Sequence, residues 1–187
     1  MLSRRADSLK PSPTLAISAK EKALRAQGMD IAGFGAGEPD FDTPQHIKQA
    51  AIDAINEGFT KYTPVAGIDP LNHAIIEKIN DDNDLAYKRD EVIVSCGGKH
   101  SLYNLFQVLF QEGDEVIVLT PYWVSYPPMV ELAGAKPVIV DTREEDDYQP
   151  TEDALKRYIT KNTKGIILNY PSNPVGSVYT LETLNRV

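Results

Sequence analysis

The sequence predicts an α/β fold in which helices cover both faces of a mostly parallel central sheet, a three-layer sandwich. In the second half of the chain, four short apolar runs rich in β-branched residues are predicted strands: residues 91–95, 115–119, 137–140 and 165–169. The segments between them are predicted helices: residues 99–111, 124–133 and 152–160. Because the runs are continuously apolar rather than alternating, we expect strands that are buried on both faces.

The first part of the chain predicts an extended arm, a helix and a short strand. Residues 1–13 are polar and contain two prolines, which favours an extended arm. A helix is predicted from Thr14, where apolar residues recur every four positions, and Gly28 is its expected end. Residues 29–44 mix apolar residues with glycine, which indicates a short strand that leads into a tight loop.

Two further helices are each predicted to begin at a polar residue followed by proline. Thr43 is the expected N-cap before Pro44, and Asp69 with Pro70 repeats the pattern. The predicted inner faces are Ile47, Ala50, Ala51, Ala54 and Ile55 in the first helix, and Leu71, Ala74, Ile75 and Ile79 in the second. A last helix is predicted from Leu181, close to the end of the sequence. A parallel sheet that stops after four strands leaves an edge unprotected, so we expect a truncated chain.

Composition favours an ordinary globular protein with an acidic surface. Of the 187 residues, 42% are hydrophobic and 25% are charged, and the formal net charge is −8. An acidic chain lacks the basic face that nucleic acid or an anionic membrane requires. The sequence shows neither an apolar run of the roughly 18 residues that span a membrane nor the apolar core of a secretory signal. With a single cysteine, Cys96, we expect a reducing compartment, the cytoplasm.

Two glycine-rich stretches resemble phosphate-binding motifs without satisfying them. "GGKHS" has Ile93 where the P-loop requires its first glycine, and "GFGAGE" has Glu38 where the dinucleotide fingerprint requires its third. A simpler device remains, a turn at Gly97 and Gly98 between a predicted strand and a helix. Its backbone amides favour an anion. The alternative is a plain connection that needs glycine only for its geometry.

Two other side chains follow predicted strand ends. The indole of Trp123 can stack on a flat ligand or simply pack at the rim of the core. Asn173 precedes Pro174, and a rigid turn there can direct its amide into the same crevice, although an ordinary turn is the alternative. Taken together, an anion site, a flat aromatic ring and an amide at one edge of a sheet predict a planar phosphorylated cofactor.

Other chemistry is disfavoured. Cys96 and His100 lie four residues apart, but no third group that would orient a thiol–imidazole pair is evident, which argues against catalysis by Cys96. His46 and His73 lie on predicted helices without the spacing of metal ligands, so no metal site is predicted.

Five stretches resemble the amino-terminal part of class I aminotransferases of pyridoxal-phosphate fold type I, in the bacterial-type aspartate/prephenate aminotransferase branch. They are "KPSPTLAI", "AGEPDFDTP", "KYTPVAGI", "VSCGGKHSLYNLFQVLFQEGDEVIVLTPYWVSYPPMVELAGAKPV" and "NYPSNPVGSVY". The resemblance covers essentially the whole chain. It implies pyridoxal 5′-phosphate as the cofactor and the large domain of that fold type, incomplete here. Residues 1–40 would be an arm and helix that contribute to the small domain, and residues 41–187 part of the cofactor-binding domain.

The resemblance also implies roles for residues of the second half of the chain. Gly97, Gly98 and Lys99 match the turn whose backbone amides bind the cofactor phosphate. Trp123 matches the aromatic residue that stacks on the pyridine ring. Asn173 matches the amide that binds the phenolic oxygen of the ring and lies near the substrate carboxylate. Trp123 and Asn173 would thus contact the substrate as well.

Three more matches lie in the first half. Tyr62 matches a tyrosine that reaches the cofactor phosphate of a neighbouring subunit, which implies a homodimer. Gly37 matches a backbone contact near the substrate α-carboxylate. Thr14 and Lys99 lie where this branch binds a second substrate carboxylate. Two positions depart from the family pattern, since Val175 stands where threonine is usual and Asn72 where arginine is common.

The implied activity is transfer of an amino group between aspartate or glutamate and a 2-oxo acid. Alternatives are a prephenate (arogenate-forming) aminotransferase, a carbon–sulfur lyase of the same fold and a catalytically inert fragment. In the family, the Schiff-base lysine, the aspartate that pairs with the pyridine nitrogen and the arginine that binds the α-carboxylate lie beyond the position of residue 187. No catalytic residue is therefore assigned, and the 187 residues alone are expected to be inactive.

Overall fold

The computed structural model describes residues 2–7, 9–35 and 37–187. Met1 and Ser8 of the predicted arm and Ala36 of the "AGEPDFDTP" stretch lie outside the described residues. Two compact units divide the chain: residues 10–95 form one, and residues 1–9 with 96–187 form the other. The predicted domain division at residue 40 stays a prediction. Among the described residues, no helix combines the length and the apolar character needed to cross a membrane.

The helices of the first half are α1 (Arg4–Asp7), α2 (Pro13–Ala26), α3 (Gln45–Asn56) and α4 (Asp69–Asn83). Those of the second half are α5 (Gly98–Leu109), α6 (Tyr126–Leu132), α7 (Glu152–Tyr158) and α8 (Leu181–Arg186). The strands are β1 (Glu115–Leu119), β2 (Lys136–Val140) and β3 (Thr163–Ile167). Short 3-10 helices lie at Arg89–Glu91 and Glu144–Asp146.

β1 is the central strand of a three-stranded parallel sheet with the order β2–β1–β3. It pairs in register with β2, so that Glu115 lies opposite Lys136 and Leu119 opposite Val140. Its pairing with β3 shifts register between Glu115 and Val116. Because β1 has neighbours on both sides and helices on both faces, all its residues after Glu115 are buried. The prediction of a parallel α/β sheet is confirmed.

Alternate side chains of β1 pack against opposite layers. One buried cluster joins the sheet to α5 and α6 and consists of Phe106, Val116, Val118, Tyr126, Met129, Val130 and Ala135. The other joins the sheet to α7 and consists of Ile117, Leu119, Val140 and Leu155. Since side chains of a strand alternate between faces, four consecutive residues of one strand supply both clusters. The unit therefore has the three layers that the sequence predicts.

Glycine residues follow the ends of α2, as predicted, and of α3. Gly28 after α2 and Gly58 after α3 have φ of +82° and +79°, which a residue with a side chain rarely adopts. After α2, the amides of Gly28 and Met29 donate to carbonyls of the last turn, and Gly58 and Phe59 do the same after α3. This arrangement satisfies carbonyls that the end of a helix otherwise leaves without donors.

The helix starts differ from the prediction by one residue. The N-cap of α3 is Pro44 rather than Thr43, because Pro44 has an extended conformation with ψ of 140°. Asp69 lies inside the first turn of α4, whose N-cap is Ile68.

The predicted strand at residues 91–95 is wrong. Glu91 belongs to a 3-10 helix, and within the described part of the chain the residues after it pair with no strand. Val94 instead donates its amide to the carbonyl of Ala66 in a loop, at 3.1 Å. A β-branched run forms a strand only where a neighbouring strand accepts and supplies its backbone hydrogen bonds.

Two other predicted extended segments also differ. Residues 29–35 form no strand, for the same lack of a pairing partner among the described residues. In the predicted arm, residues Arg4–Asp7 form a single helical turn, in which the amide of Asp7 donates to the carbonyl of Ser3 at 3.0 Å.

The predicted inner faces of α3 and α4 are only partly correct. Ile47 and Ile55 of α3 are 51% and 65% exposed, since nothing described in their unit covers them. In α4, Leu71 is exposed, whereas Asn72 beside it is fully buried. A polar residue has therefore replaced an apolar one as the best buried side chain of this helix.

Asn72 is buried because it binds a loop. Its Nδ2 donates to the carbonyl of Ala66 at 3.1 Å, and Arg89 donates to the next carbonyl, that of Gly67, at 3.0 Å. Arg89 also pairs with Asp69 at 2.8 Å. Two consecutive loop carbonyls are thus fixed to α4 and to the 3-10 helix by side-chain donors, which restricts the loop that follows Tyr62.

Gly67 is expected to be the least replaceable glycine of this loop region. It has φ of +103°, and a Cβ there would lie 2.8 Å from Asn72 Oδ1 and from Val94 Cγ2. We expect Gly67→Ala to lower the free energy of unfolding by about 2–4 kcal/mol in urea denaturation. Gly58→Ala is the matched control, because its φ is also positive but nothing lies within 4 Å of its Cβ. It should cost only about 1 kcal/mol. Equal losses in both variants would contradict the steric argument.

Candidate functional site

The glycine turn at residues 97 and 98 opens α5 with unpaired amides. Gly97 is the N-cap, and its carbonyl accepts from the amides of His100 and Ser101, both at 3.1 Å. The preceding amides, those of Gly98 and Lys99, have no backbone acceptor in the part of the chain that the structure describes. The first turn also contains no acidic residue. The amides and the helix dipole therefore favour an anion at this end of α5.

The two glycines of the turn differ in what requires them. Gly97 has φ of +87°, so its backbone conformation alone favours glycine. Gly98 has no positive φ, and a Cβ there would meet nothing within 4 Å. Neither conformation nor protein packing thus requires glycine at residue 98. The interpretation of the turn as a plain connection explains Gly97 but not Gly98, whereas a ligand that approaches the amides explains both.

Trp123 and Lys99 lie together in the same unit. The Lys99 ammonium lies 5.0 Å from the centre of the Trp123 ring, a cation–π contact. The indole is half-buried against the cluster that joins the sheet to α5 and α6. It also meets the ring of Tyr126 nearly at a right angle, with centroids 5.4 Å apart. The structure therefore brings together the predicted anion turn and the predicted flat aromatic side chain.

Hydrogen bonds at the end of β1 fix the segment that carries Trp123. The hydroxyl of Thr120 accepts from the amide of Thr142 at 3.2 Å and donates to Asp141 at 3.3 Å. The hydroxyl of Thr142 in turn donates to the carbonyl of Thr120. The next peptide bond, between Thr120 and Pro121, is cis. These contacts tie the exits of β1 and β2 to each other, immediately before Trp123.

Asn173 lies in a tight turn beyond β3. Its amide nitrogen donates to Asn169 Oδ1 at 3.1 Å, and the Asn173–Pro174 peptide bond is cis. Across the turn, the amide of Ser172 donates to the carbonyl of Ser177 at 2.9 Å. The side chain of Asn173 is exposed, and its carboxamide makes no hydrogen bond to the residues described. The backbone is thus fixed while the carboxamide remains available to a ligand.

A small cavity of about 10 Å³ lies at this same edge of the sheet. Its lining consists of Val118, Leu119, Pro121, Tyr122, Tyr126, Ile167, Asn169, Ser172 and Tyr179. None of the five predicted residues of this unit is in the lining, but Tyr122 and Ser172 are the sequence neighbours of two of them. The cavity therefore lies beside the predicted cofactor residues, between the carboxyl ends of β1 and β3.

Two phenols of the cavity keep their protons well above neutral pH. Burial raises the pKa of Tyr126. Burial also raises the pKa of Tyr179, and the nearby Tyr126 adds to this shift. Both side chains are therefore neutral hydrogen-bonding groups at physiological pH.

Sequence reasoning missed three residues of this region: Tyr126, Asn169 and Tyr179. Tyr126 follows Trp123 by three residues in "PYWVSYPP", the spacing of the first and last residues of a β-turn, which could have linked the two residues had a turn been predicted there. Asn169 was counted as the last residue of a strand that in fact ends at Ile167. Tyr179 carries no local signal, since only the fold brings it to this edge.

The remaining predicted site residues belong to the other unit. Thr14 is half-buried in the first turn of α2, and Gly37 lies in an exposed loop where a Cβ would meet nothing within 4 Å. Tyr62 is fully exposed in its loop.

Beside the glycine turn, Cys96 is exposed and its backbone amide donates to His100 Nδ1 at 3.2 Å. The imidazole thus accepts from the backbone of Cys96, which is a structural role.

Comparison with known proteins identifies close relatives of the chain. The family model "Aminotransferase class I and II" matches residues 29–187. An aspartate aminotransferase of Bacillus sp. (strain YM-2) is 54% identical over the whole chain, which covers 48% of that relative. An aspartate/prephenate aminotransferase of Thermus thermophilus is 50% identical, again over the whole chain and 48% of the relative.

Solved structures agree with this assignment. The aspartate aminotransferase from Thermus thermophilus with maleate matches the whole chain with a TM-score of 0.95 and 49% sequence identity. The chain covers 49% of that structure. It thus spans about half the length of the relatives that it matches.

Gly98→Asp should weaken phosphate binding without weakening the fold. A carboxylate in the first turn of α5 interacts favourably with the helix dipole but repels an anion at the amides of residues 98 and 99. Relative to the neutral, nearly isosteric Gly98→Asn, we expect about a tenfold higher Kd for pyridoxal phosphate. The thermal midpoint of the ligand-free protein should be the same or higher.

The control ligand is pyridoxal, which lacks the phosphate. Its Kd in the full-length protein should be the same for the Asp and Asn variants. An equal loss for both ligands would contradict a phosphate site at the glycine turn.

Proposed function

Because the chain belongs to the class I and II aminotransferases, we propose that the full-length protein is a pyridoxal-phosphate-dependent aminotransferase. It moves an amino group between aspartate or glutamate and a 2-oxo acid. The single observation that carries the proposal is the arrangement at the carboxyl edge of one parallel sheet. The unpaired amides of Gly98 and Lys99 open α5, and the Lys99 ammonium contacts the indole of Trp123 at 5.0 Å.

The chemistry of these groups fits the cofactor. Two backbone amides at a helix N-terminus suit a phosphate dianion. An indole face suits a heteroaromatic ring, and a carboxamide suits a phenolic oxygen. In this proposal Gly97, Gly98 and Lys99 bind the phosphate through their backbone, Trp123 stacks on the ring, and Asn173 binds the ring oxygen.

The cofactor, when bound, supplies a ring that withdraws electrons and so stabilises negative charge at the α-carbon of the amino acid. The residues of this chain orient the ring rather than move protons. Their contribution is positioning, since binding at a phosphate, a face and an oxygen removes the rotational freedom of a flat ligand. The tied exits of β1 and β2 support this, because they fix the segment that carries Trp123.

The substrate contacts are part of the same proposal. Asn173 and Trp123 contact the substrate together with the backbone of Gly37, and Lys99 with Thr14 binds the second carboxylate of a dicarboxylic amino acid.

Tyr62 reaches the cofactor phosphate of a second subunit, so the protein is a homodimer. The complete exposure of Tyr62 is compatible with a contact outside its own chain. The division at residue 40 into a small-domain and a cofactor-binding part, and a cytoplasmic location, complete the proposal.

Prephenate is the second candidate acceptor. Relatives that are 50–52% identical carry the name aspartate/prephenate aminotransferase, including those of Thermus thermophilus and Nitrosomonas europaea. An aminotransferase that acts on prephenate as well as on aspartate and glutamate must bind substrates with two carboxylates. Binding the second of these carboxylates is the role proposed for Lys99.

The activity is tested by following ¹⁵N from labelled aspartate in the full-length protein supplied with pyridoxal phosphate. We expect label in glutamate when 2-oxoglutarate is the acceptor, and in arogenate when prephenate is the acceptor. Without an acceptor, no more than a single turnover should occur. In a parallel assay with cystathionine and no acceptor, continuous release of a thiol, ammonia and pyruvate would instead indicate a carbon–sulfur lyase and would contradict the proposal.

Lys99→Met should change substrate choice rather than the chemistry. The loss of one charge-assisted contact to the side-chain carboxylate is expected to lower kcat/KM for aspartate about 10- to 100-fold. Alanine, which lacks that carboxylate, is the matched substrate, and its kcat/KM should change less than about threefold because the backbone amide of residue 99 is retained. A similar loss for both substrates would argue against a role in carboxylate recognition.

A further inference from the structure

Tyr126 is a buried residue that contacts Trp123 at the edge of the site. It opens α6 and is only 7% exposed, within the cluster that joins the sheet to α5 and α6. Its backbone amide donates to the carbonyl of Trp123 at 3.0 Å. Its ring also meets the indole nearly at a right angle, 86° between planes and 5.4 Å between centroids. Backbone and side chain of one residue thus both contact Trp123.

The two ring contacts of Trp123 differ in rigidity. Lys99 is exposed on the first turn of α5, and its long side chain has many rotamers available. Tyr126 is packed among side chains of β1 and α6, and such close packing leaves its ring far less rotamer freedom than the exposed Lys99 side chain has. Of the two neighbours, only Tyr126 can therefore set the orientation of the indole.

We propose that Tyr126 is a positioning residue, whose buried ring holds the indole of Trp123 in the plane that stacks on the cofactor ring. This inference rests on the proposed function, because it takes the stacking role of Trp123 from there. The contact is between rings and needs no hydroxyl. A phenylalanine at residue 126 therefore preserves it, and an aliphatic side chain of similar size removes it.

The chain offers a matched control in Phe106. Phe106 is 4% exposed in the same cluster, and it makes an edge contact with Phe110, with centroids 5.3 Å apart. Phe106→Leu therefore removes a buried aromatic ring and an aromatic pair of the same kind, but from a pair that does not include the indole. It reproduces the packing loss of Tyr126→Leu without the contact to Trp123.

The experiment uses the full-length protein and pyridoxal phosphate as the probe. Tyr126→Leu, Tyr126→Phe and Phe106→Leu are each made in the wild-type background and in a Trp123→Leu background. The Kd for pyridoxal phosphate is measured by titration. The accessibility of Trp123 is measured in the cofactor-free protein by acrylamide quenching, and subtraction of the Trp123→Leu signal isolates this one tryptophan.

Tyr126→Leu is expected to raise the Kd about two- to tenfold, the range that the loss of one aromatic pair gives. It should also increase acrylamide quenching of Trp123. Tyr126→Phe should stay within about twofold of wild type in Kd and unchanged in quenching. Phe106→Leu should lower the unfolding midpoint as much as Tyr126→Leu while leaving Kd and quenching unchanged. In the Trp123→Leu background, Tyr126→Leu should have little further effect on Kd, since the two residues act through one contact.

Three results would overturn the inference: an unchanged Kd in Tyr126→Leu, an equal rise of Kd in Phe106→Leu, or a full effect of Tyr126→Leu in the Trp123→Leu background. Failure of the proposed function is distinguishable from these, because wild type would then not bind pyridoxal phosphate at all. In that case the quenching of Trp123 in the cofactor-free Tyr126→Leu variant still decides whether Tyr126 holds the indole. Unchanged quenching would overturn that as well.

Discussion

The pairing of β1 with a parallel strand on each side is the constraint on which the site depends. Parallel pairing sends all three strands out at one edge, so the segments that follow β1, β2 and β3 meet there. Burial of β1 on both faces makes this arrangement hard to shift, since a slip of one residue would exchange the two apolar clusters. Residues separated by some fifty positions, Trp123 and Asn173, thereby reach the same edge of one sheet.

Side-chain hydrogen bonds convert this shared edge into fixed positions. Thr142, after β2, donates its backbone amide to the hydroxyl of Thr120 and its own hydroxyl to the carbonyl of Thr120, after β1. These hydrogen bonds fix the path along which the chain leaves β1. The turn beyond β3 is fixed in the same manner, because the Asn169 side chain accepts the amide of Asn173. In both segments the anchoring groups are hydrogen-bonded within the protein, while the indole, three residues after Thr120, and the carboxamide, four residues after Asn169, stay accessible. Rigid anchors next to free functional groups are what preorganised binding requires.

Elements that depend on a local residue pattern could be predicted from the sequence, whereas elements that depend on pairing with a distant segment could not. The predicted bounds of β1 are correct to the residue, because a short, continuous apolar run between polar ends is typical of a central strand buried on both faces. The same pattern at residues 91–95 gave the wrong answer, since its hydrogen bonds depend on a neighbour that the pattern does not contain. Gly97, Gly98, Trp123 and Asn173 are predicted site residues because each follows a predicted strand, although the strand predicted before Gly97 does not form. Tyr179 was not found, because only the closed fold brings it to the cavity.

The protonation states of the groups at this edge of the sheet limit the chemistry that they can perform. Backbone amides, an indole, a carboxamide and two phenols with raised pKa values all keep one protonation state around neutral pH. Such groups bind and orient, but none of them accepts and returns a proton during a turnover at neutral pH, because that requires a pKa near the working pH. In the proposed reaction the substrate proton would therefore be moved by groups other than these, and the family resemblance implies a lysine for that task. In the proposed function, these fixed donors and flat rings would serve to present the ring of the cofactor in a single orientation. The proposed role of Tyr126 fits this function, because a stacking surface orients a ligand only as well as it is itself held, and the ring of Tyr126 packs edge-on against Trp123.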